Sequence, residues 1–112
     1  MIDVSVEAEK TLSLIGCNVV YQYPDEWKDF PIISFYALTE RPGFTCDNEE
    51  SIQNGTVQVD IWAKKPLDSG SLGVKINEIM TKDGWNRELS MDLPKVDGVY
   101  HRTMRFTKSF NL

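Results

Sequence analysis

His101 is the only histidine in the chain. A multi-histidine metal site is therefore excluded, and any Ser/His/Asp or Cys/His arrangement has to be built on this one imidazole. It stands in the stretch VYHRTMRFTKSF (99–110), whose alternation places His101 with Thr103, Arg105 and Thr107 on a polar strand face. A histidine in that setting is more often solvated or part of an interface than catalytic. The two cysteines show no CxxC spacing and fall short of a disulfide framework, which fits a reducing compartment. Cys17 reads as a small buried hydrophobe beside an apolar strand. Cys46 has only Arg41 as a nearby cation, so neither thiol looks activated.

The oxygen-rich group Asp47, Glu49 and Glu50 lacks the loop glycine and distal glutamate of a calcium-binding loop and reads as a solvated acidic segment. The seven glycines never approach a GxGxxG or Walker spacing. These absences assign no catalytic residue, no cofactor and no metal. The tryptophans carry a different signal. Trp27 lies within DEWKD and Trp62 beside Asp60, carboxylate settings that repel phosphate, so core packing or a protein interface is the expected use rather than stacking on bases.

Charge bounds the class of partner. Among 112 residues, 12 Lys and Arg stand against 17 Asp and Glu, a net charge of -5, the wrong sign for a protein that gains affinity by neutralising phosphates. The distribution is uneven: residues 1–60 carry a net -8 and residues 61–112 a net +3. That asymmetry raises complementary surfaces as an expectation, with Glu40, Asp47, Glu49 and Glu50 on one side and Arg102 and Arg105 on the other, joined by Trp27 and Trp62. Fully solvated charges are the competing reading. The start of the chain is acidic without an apolar signal segment, and the longest mostly apolar run, Leu14 to Val20, is too short to cross a bilayer. A soluble protein of the cytosol, or of a particle assembled there, is expected.

The elements that must position these residues follow from periodicity. Val4, Ala8, Leu12 and Ile15 form one helical stripe over residues 3–15, capped by Asp3 or Ser5 and ended by Gly16. NVVYQY (18–23) and IISFYALT (32–39) read as strands, the second apolar on both faces and so central in the sheet. Residues 40–54, ERPGFTCDNEESIQN, lack any sustained period and read as a long flexible loop. GTVQVDIWAK (55–64) alternates, with Val57, Val59 and Ile61 on one face and Trp62 on the other. A second helix capped by Asp68 or Ser69 carries Leu72, Ile76, Ile79 and Met80, and two strands, 85–92 and 99–110, meet at the hairpin signal Asp97-Gly98. The order is αβββαββ in a single domain. It predicts an α+β fold: a two-layer, mostly antiparallel sheet of four to five strands with two helices packed on one face. The expected core is Leu12, Ile15, Val57, Val59, Ile61, Leu72, Ile76, Ile79, Met104 and Phe106.

YQYPDEWKDFP (21–31) followed by IISFYALT, then VQVDIWAK (57–64), the helix containing KINEIM, and YHRTMRF (100–106) together resemble the tail terminator, or tail-to-head joining, proteins of long-tailed bacteriophages and of prophages in Gram-positive bacteria. The resemblance spans nearly the whole chain and rests on element order and short stretches, with no catalytic motif. It implies a non-enzymatic structural protein of the virion tail or neck, assembled in the bacterial host cytoplasm. It further implies a ring of copies of itself, usually a hexamer, contacting the tail tube protein and the head connector or stopper. DNA would pass through such a channel without specific binding, in keeping with the acidic balance. A different class of reading, a small cytosolic adaptor engaging one partner through the acidic 40–54 segment, is discriminated by whether the chain self-associates. An enzyme subunit contributing little chemistry of its own is a third.

Overall fold

The computed structural model describes residues 1–46 and 49–112. Helix α1 (Val4–Leu12) starts where the Asp3 carboxylate accepts from the Ser5 and Val6 amides at 3.0 and 3.4 Å. It runs into a single 3₁₀ turn (Ser13–Ile15) that ends at Gly16 with φ 81°. Strands β1 (Asn18–Tyr21), β2 (Ile32–Cys46) and β3 (Glu49–Ala63) follow, then helix α2 (Asp68–Lys82), β4 (Asn86–Val96) and β5 (Val99–Asn111). The strands form one sheet in the order β1-β2-β3-β5-β4. Only β1 and β2 run parallel; the other neighbours are antiparallel. Asp97 and Gly98, with φ 51° and 77°, make the tight turn between β4 and β5.

Both helices lie on one face. Val4, Ala8 and Leu12 of α1 and Leu72, Ile76 and Met80 of α2 close over Ile33, Phe35, Val57, Val59, Ile61, Met104 and Phe106. The fold is therefore the expected two-layer α+β arrangement, with five strands. Ile15 and Ile79, expected in the core, pack at its margin and are only partly buried. Helix α2 begins without a side-chain cap: Leu67 occupies that position, Asp68 is the first helical residue, and the Lys65 carbonyl accepts from the Asp68 amide at 3.2 Å. The Lys65 carbonyl thus serves one of the helix-start amides that a side-chain cap would otherwise take, and neither Asp68 nor Ser69 caps the helix.

The segment expected as a flexible loop is largely strand. Residues 40–46 belong to β2 and 49–54 to β3, and their pairing runs on to Cys46 opposite Glu49. This ladder outruns its neighbours, since β1 ends opposite Phe35 and β5 ends opposite Ile52. The two 15-residue strands account for the long dimension of 53 Å against 25 and 24 Å for the others. Hydrophobic alternation reports one-sided burial, and here the inward positions 53 and 55 hold glutamine and glycine, so the strand has no apolar period to show. At the root of this two-stranded arm, buried Gln53 clamps the N-terminal segment: its amide donates to the Ile2 carbonyl and accepts from the Ile2 amide, both at 2.7 Å. Beside it, Gly55 lies so close under Val4 that an added Cβ would collide with the Val4 methyls.

The far end of α2 is held by Asp83. Its Oδ2 accepts from the Thr11 hydroxyl at 2.7 Å and the Trp85 indole at 3.1 Å, tying α1, α2 and the start of β4 together. Lys108 donates to the Asp83 carbonyl at 2.6 Å and lies above the rings of Trp85 and Phe110. Burial pushes the Asp83 carboxyl upward, but the Thr11 hydroxyl, the Lys108 charge and the Trp85 indole outweigh it and hold the group below its ordinary value.

Two outcomes follow from this packing. Gly55→Ala should destabilise the fold by about 1–3 kcal/mol in urea titrations, the usual cost of overpacking a core; an unchanged midpoint would mean α1 can shift freely off β3. Asp83→Asn should lower stability at pH 7, where the native carboxylate is ionised and paired. The wild-type advantage should vanish as pH falls through the lowered Asp83 pKa, below about 4, because protonation then removes the charge in both states. Unfolding midpoints that stay equally far apart at every pH would contradict the assignment.

Candidate functional site: an aromatic groove on the helix-free face

The face of the sheet turned away from the helices is built from three cross-strand rows. Ile32, Trp62, His101 and Leu93 form the first; Ser34, Asp60, Thr103 and Met91 the second; Tyr36, Gln58, Arg105 and Leu89 the third. No helix covers them, yet Ile32, Ser34 and Asp60 are buried, Asp60 to 1% exposure. A carboxylate withdrawn from water must be hydrogen-bonded. His101 Nε2 donates to Asp60 Oδ1 at 2.8 Å, and the Gln58 amide donates to Oδ2 at 3.3 Å. A carboxylate can only accept, so the hydrogen of this bond sits on His101 Nε2.

That hydrogen bond sets the plane of the imidazole, which stacks on the Trp62 indole with centroids 3.7 Å apart and planes 17° from parallel. The indole is pinned at its other end, its Nε1 donating to the Ser34 hydroxyl at 2.9 Å. Trp27, from the connection between β1 and β2, meets Trp62 edge to face at 4.9 Å, and Tyr23 tilts against it at 6.2 Å. Such contacts fix ring positions as well as adding burial. One polar chain, Asp60 to His101 to Trp62 to Ser34, thus holds an aromatic floor across β2, β3 and β5.

Above this floor lies a groove of about 600 Å³. Trp27 and Phe30 form one wall, and Pro94, Val96 and Val99 of the β4–β5 hairpin form the other. Lys64, whose ammonium lies 5.2 Å from the centre of the Phe30 ring, and Asp97 mark its rim. Trp27 is 51% exposed and Val96 63%. Two apolar walls, an aromatic floor and one charge of each sign suit an apolar segment with a few polar groups. An Asp–His pair is also a familiar acid–base unit. Here the nearby Ser34 hydroxyl accepts from Trp62, and the Asp60–His101 pair fixes the ring stacked on the floor.

The expected interface residues separate. Trp27 and Trp62 come together at the groove. Glu40 lies on β2 opposite Gly55, while Glu49 and Glu50 continue β3 opposite Cys46 and Thr45. From Glu49 to Trp62 the strand rises about 43 Å, so the acidic arm and the groove are at opposite ends of the molecule. Asp47 lies outside the described residues. Arg102 and Arg105 do not share a surface, because residues three apart on a strand face opposite ways. Arg102 runs beneath α2 at Gly73, donating to Ser90 at 3.1 Å and pairing with Asp92 at 3.2 Å. Arg105 is on the helix-free face, its Nε buried without a hydrogen-bond partner. Beside it the Tyr36 phenol is pushed up by burial, and further by Asp60 and Tyr23, against the opposing charge of Arg105. Alternation flags His101, Trp62 and Asp60 as sharing a face only in part: the pairing of β3 with β5 decides which of them touch, and Phe30 and the hairpin wall carry no sequence signal.

Among the described residues no group of three or more His, Cys, Asp or Glu side chains is arranged to hold a metal ion. None of the helices described is long and apolar enough to cross a membrane. No protein-family model and no curated protein matches the chain.

The Asp60–His101 pair gives a stability prediction. Asp60→Ala leaves His101 and Gln58 without their buried acceptor and should cost about 1–3 kcal/mol in thermal or urea unfolding. Asp92→Ala, which removes a carboxylate whose side chain is 68% exposed, should stay within about 0.5 kcal/mol of wild type. Equal effects for the two would show that burial of Asp60 is not what gives the pair its weight.

Proposed function

We propose that the chain is a structural subunit that associates with further copies of itself into a ring, the hexamer that the family resemblance implies, and that this ring terminates a phage tail tube and joins it to the head connector or stopper. The observation that carries this reading is the two-stranded arm. Thr45 and Cys46 of β2 pair with Glu50 and Glu49 of β3 past Ile52, the last β3 residue with a partner in β5, so the hairpin end reaches beyond the rest of the sheet. An arm of that kind gains burial from a neighbouring subunit or from the tube below it. The αβββαββ order is the one the resemblance calls for, and the net charge of -5 suits a channel that lets DNA pass without holding it.

Association through faces rather than strand edges is favoured by the prolines. Pro94 interrupts the outer edge strand β4, and Pro42 sits in β2 beyond the reach of β1. Proline has no amide hydrogen to give to an added strand, which discourages edge-to-edge pairing. In the sheet, β1 and β2 from the acidic half and β5 and β4 from the basic half lie on opposite sides of β3, which holds residues of both halves. The groove supports a second reading, a monomeric adaptor that takes one apolar segment of another protein.

Negative-stain imaging of tails assembled with and without the chain separates these. The ring reading expects tails of uniform length closed by a ring when the chain is present, and open or overgrown tubes when it is absent. Identical tails in both preparations would remove this role and leave the adaptor.

A further inference from the structure

We infer that the outer face of α2 of one copy, led by Leu67 and Val74, seats in the Trp27–Trp62 groove of the next copy. This rests on the ring reading above and names the contact that would build it. Leu67 is 83% exposed and Val74 60%. Positions 67, 71 and 74 fall on one side of a helix, so the two apolar side chains flank the small Ser71 in a single ridge. The ridge is the face opposite Leu72, Ile76 and Met80, which are spent on the core. It therefore has no use within its own subunit.

The groove has the complementary character. Its floor is the braced Trp62–His101 stack, and Trp27, Val96 and Val99 leave apolar surface toward solvent. A volume of about 600 Å³ admits the ends of a leucine and a valine with the short side chain between them. The charges agree as well. Asp68 stands next to Leu67 and Lys75 next to Val74, while Lys64 and Asp97 mark the groove rim. Among the described residues none of these four makes an ion pair within the chain, so each is available to one of opposite sign on a neighbour.

Position in the fold decides the symmetry. The ridge is on the helical layer and the groove on the helix-free face, so a subunit cannot fill its own groove. Each copy offers one ridge and one groove, which makes the contact heterologous: it closes into a ring when the rotation per step divides the circle.

Mixing two blocked variants tests this directly. Leu67→Asp/Val74→Glu spoils the ridge and Trp27→Ala/Val96→Asp spoils the groove; all four positions are exposed, and circular dichroism and urea midpoints check that each variant stays folded. Each variant alone should lose self-association by at least about tenfold, the effect of removing an anchor residue from an interface. Mixed, they retain one good ridge and one good groove, and should form a dimer that grows no further in sedimentation. If wild type assembles and the ridge variant assembles equally well, the assignment of α2 is overturned while the ring stands. If wild type remains monomeric both on and off tail tubes, the ring reading falls and takes this contact with it.

Discussion

A five-stranded sheet has two faces, and among the described residues the two α-helices cover only one. Everything distinctive about the molecule follows from how the other face is managed. Left bare, the central strand β3 would expose Trp62 and the residues around it to water. Instead the 22–31 connection folds across one end, bringing Tyr23 and Trp27 onto Trp62 and burying Ile32 and Ser34. Burial of Asp60 in the same place would be costly for an unpaired carboxylate, and His101 and Gln58 meet that demand. The demand has a useful consequence: satisfying Asp60 orients His101, and His101 orients Trp62.

The cover is incomplete. Where the connection stops and the β4–β5 hairpin rises, a groove remains with a rigid aromatic floor and two apolar walls. Rigidity lowers the entropy lost on docking, because the rings that would make contact are already held by edge, stack and hydrogen bond. On the helical side, α2 shows the opposite geometry, a convex apolar ridge left over after its inner stripe is buried. A molecule with a hollow on one layer and a ridge on the other is polar in the sense that matters for assembly, and the proposed ring uses that polarity.

The sequence reveals the layers better than the site. Helical stripes at Val4, Ala8 and Leu12, and at Leu72, Ile76 and Met80, are legible because burial on one side imposes a period on apolar residues. The alternation of Val57, Val59 and Ile61 is legible for the same reason, and it correctly turns Trp62 to the other face. Residues 40–46 and 49–54 are misread as loop because β2 is broken by Pro42 and Gly43 and the inward position 53 of β3 is a glutamine, so no apolar period marks the strands. Arg102 and Arg105 look like a pair by proximity in sequence, but alternation sends one beneath α2 and the other to the bare face. The groove itself depends on the pairing of Trp62 with His101 and on a hairpin wall whose residues have no pattern of their own. Long-range register is a property of the assembled sheet, so it could not be read from local spacing.

The proposed ring requires particular surfaces to become covered when copies meet. Amide hydrogen exchange, compared between the free chain and its assembled form, measures this most directly. Slowed exchange should appear in the 22–31 connection, in the β4–β5 turn and in the first two turns of α2, with the central strand amides protected alike in both states. Protection confined to other surfaces, or no difference at these three segments in a confirmed assembly, would contradict the account.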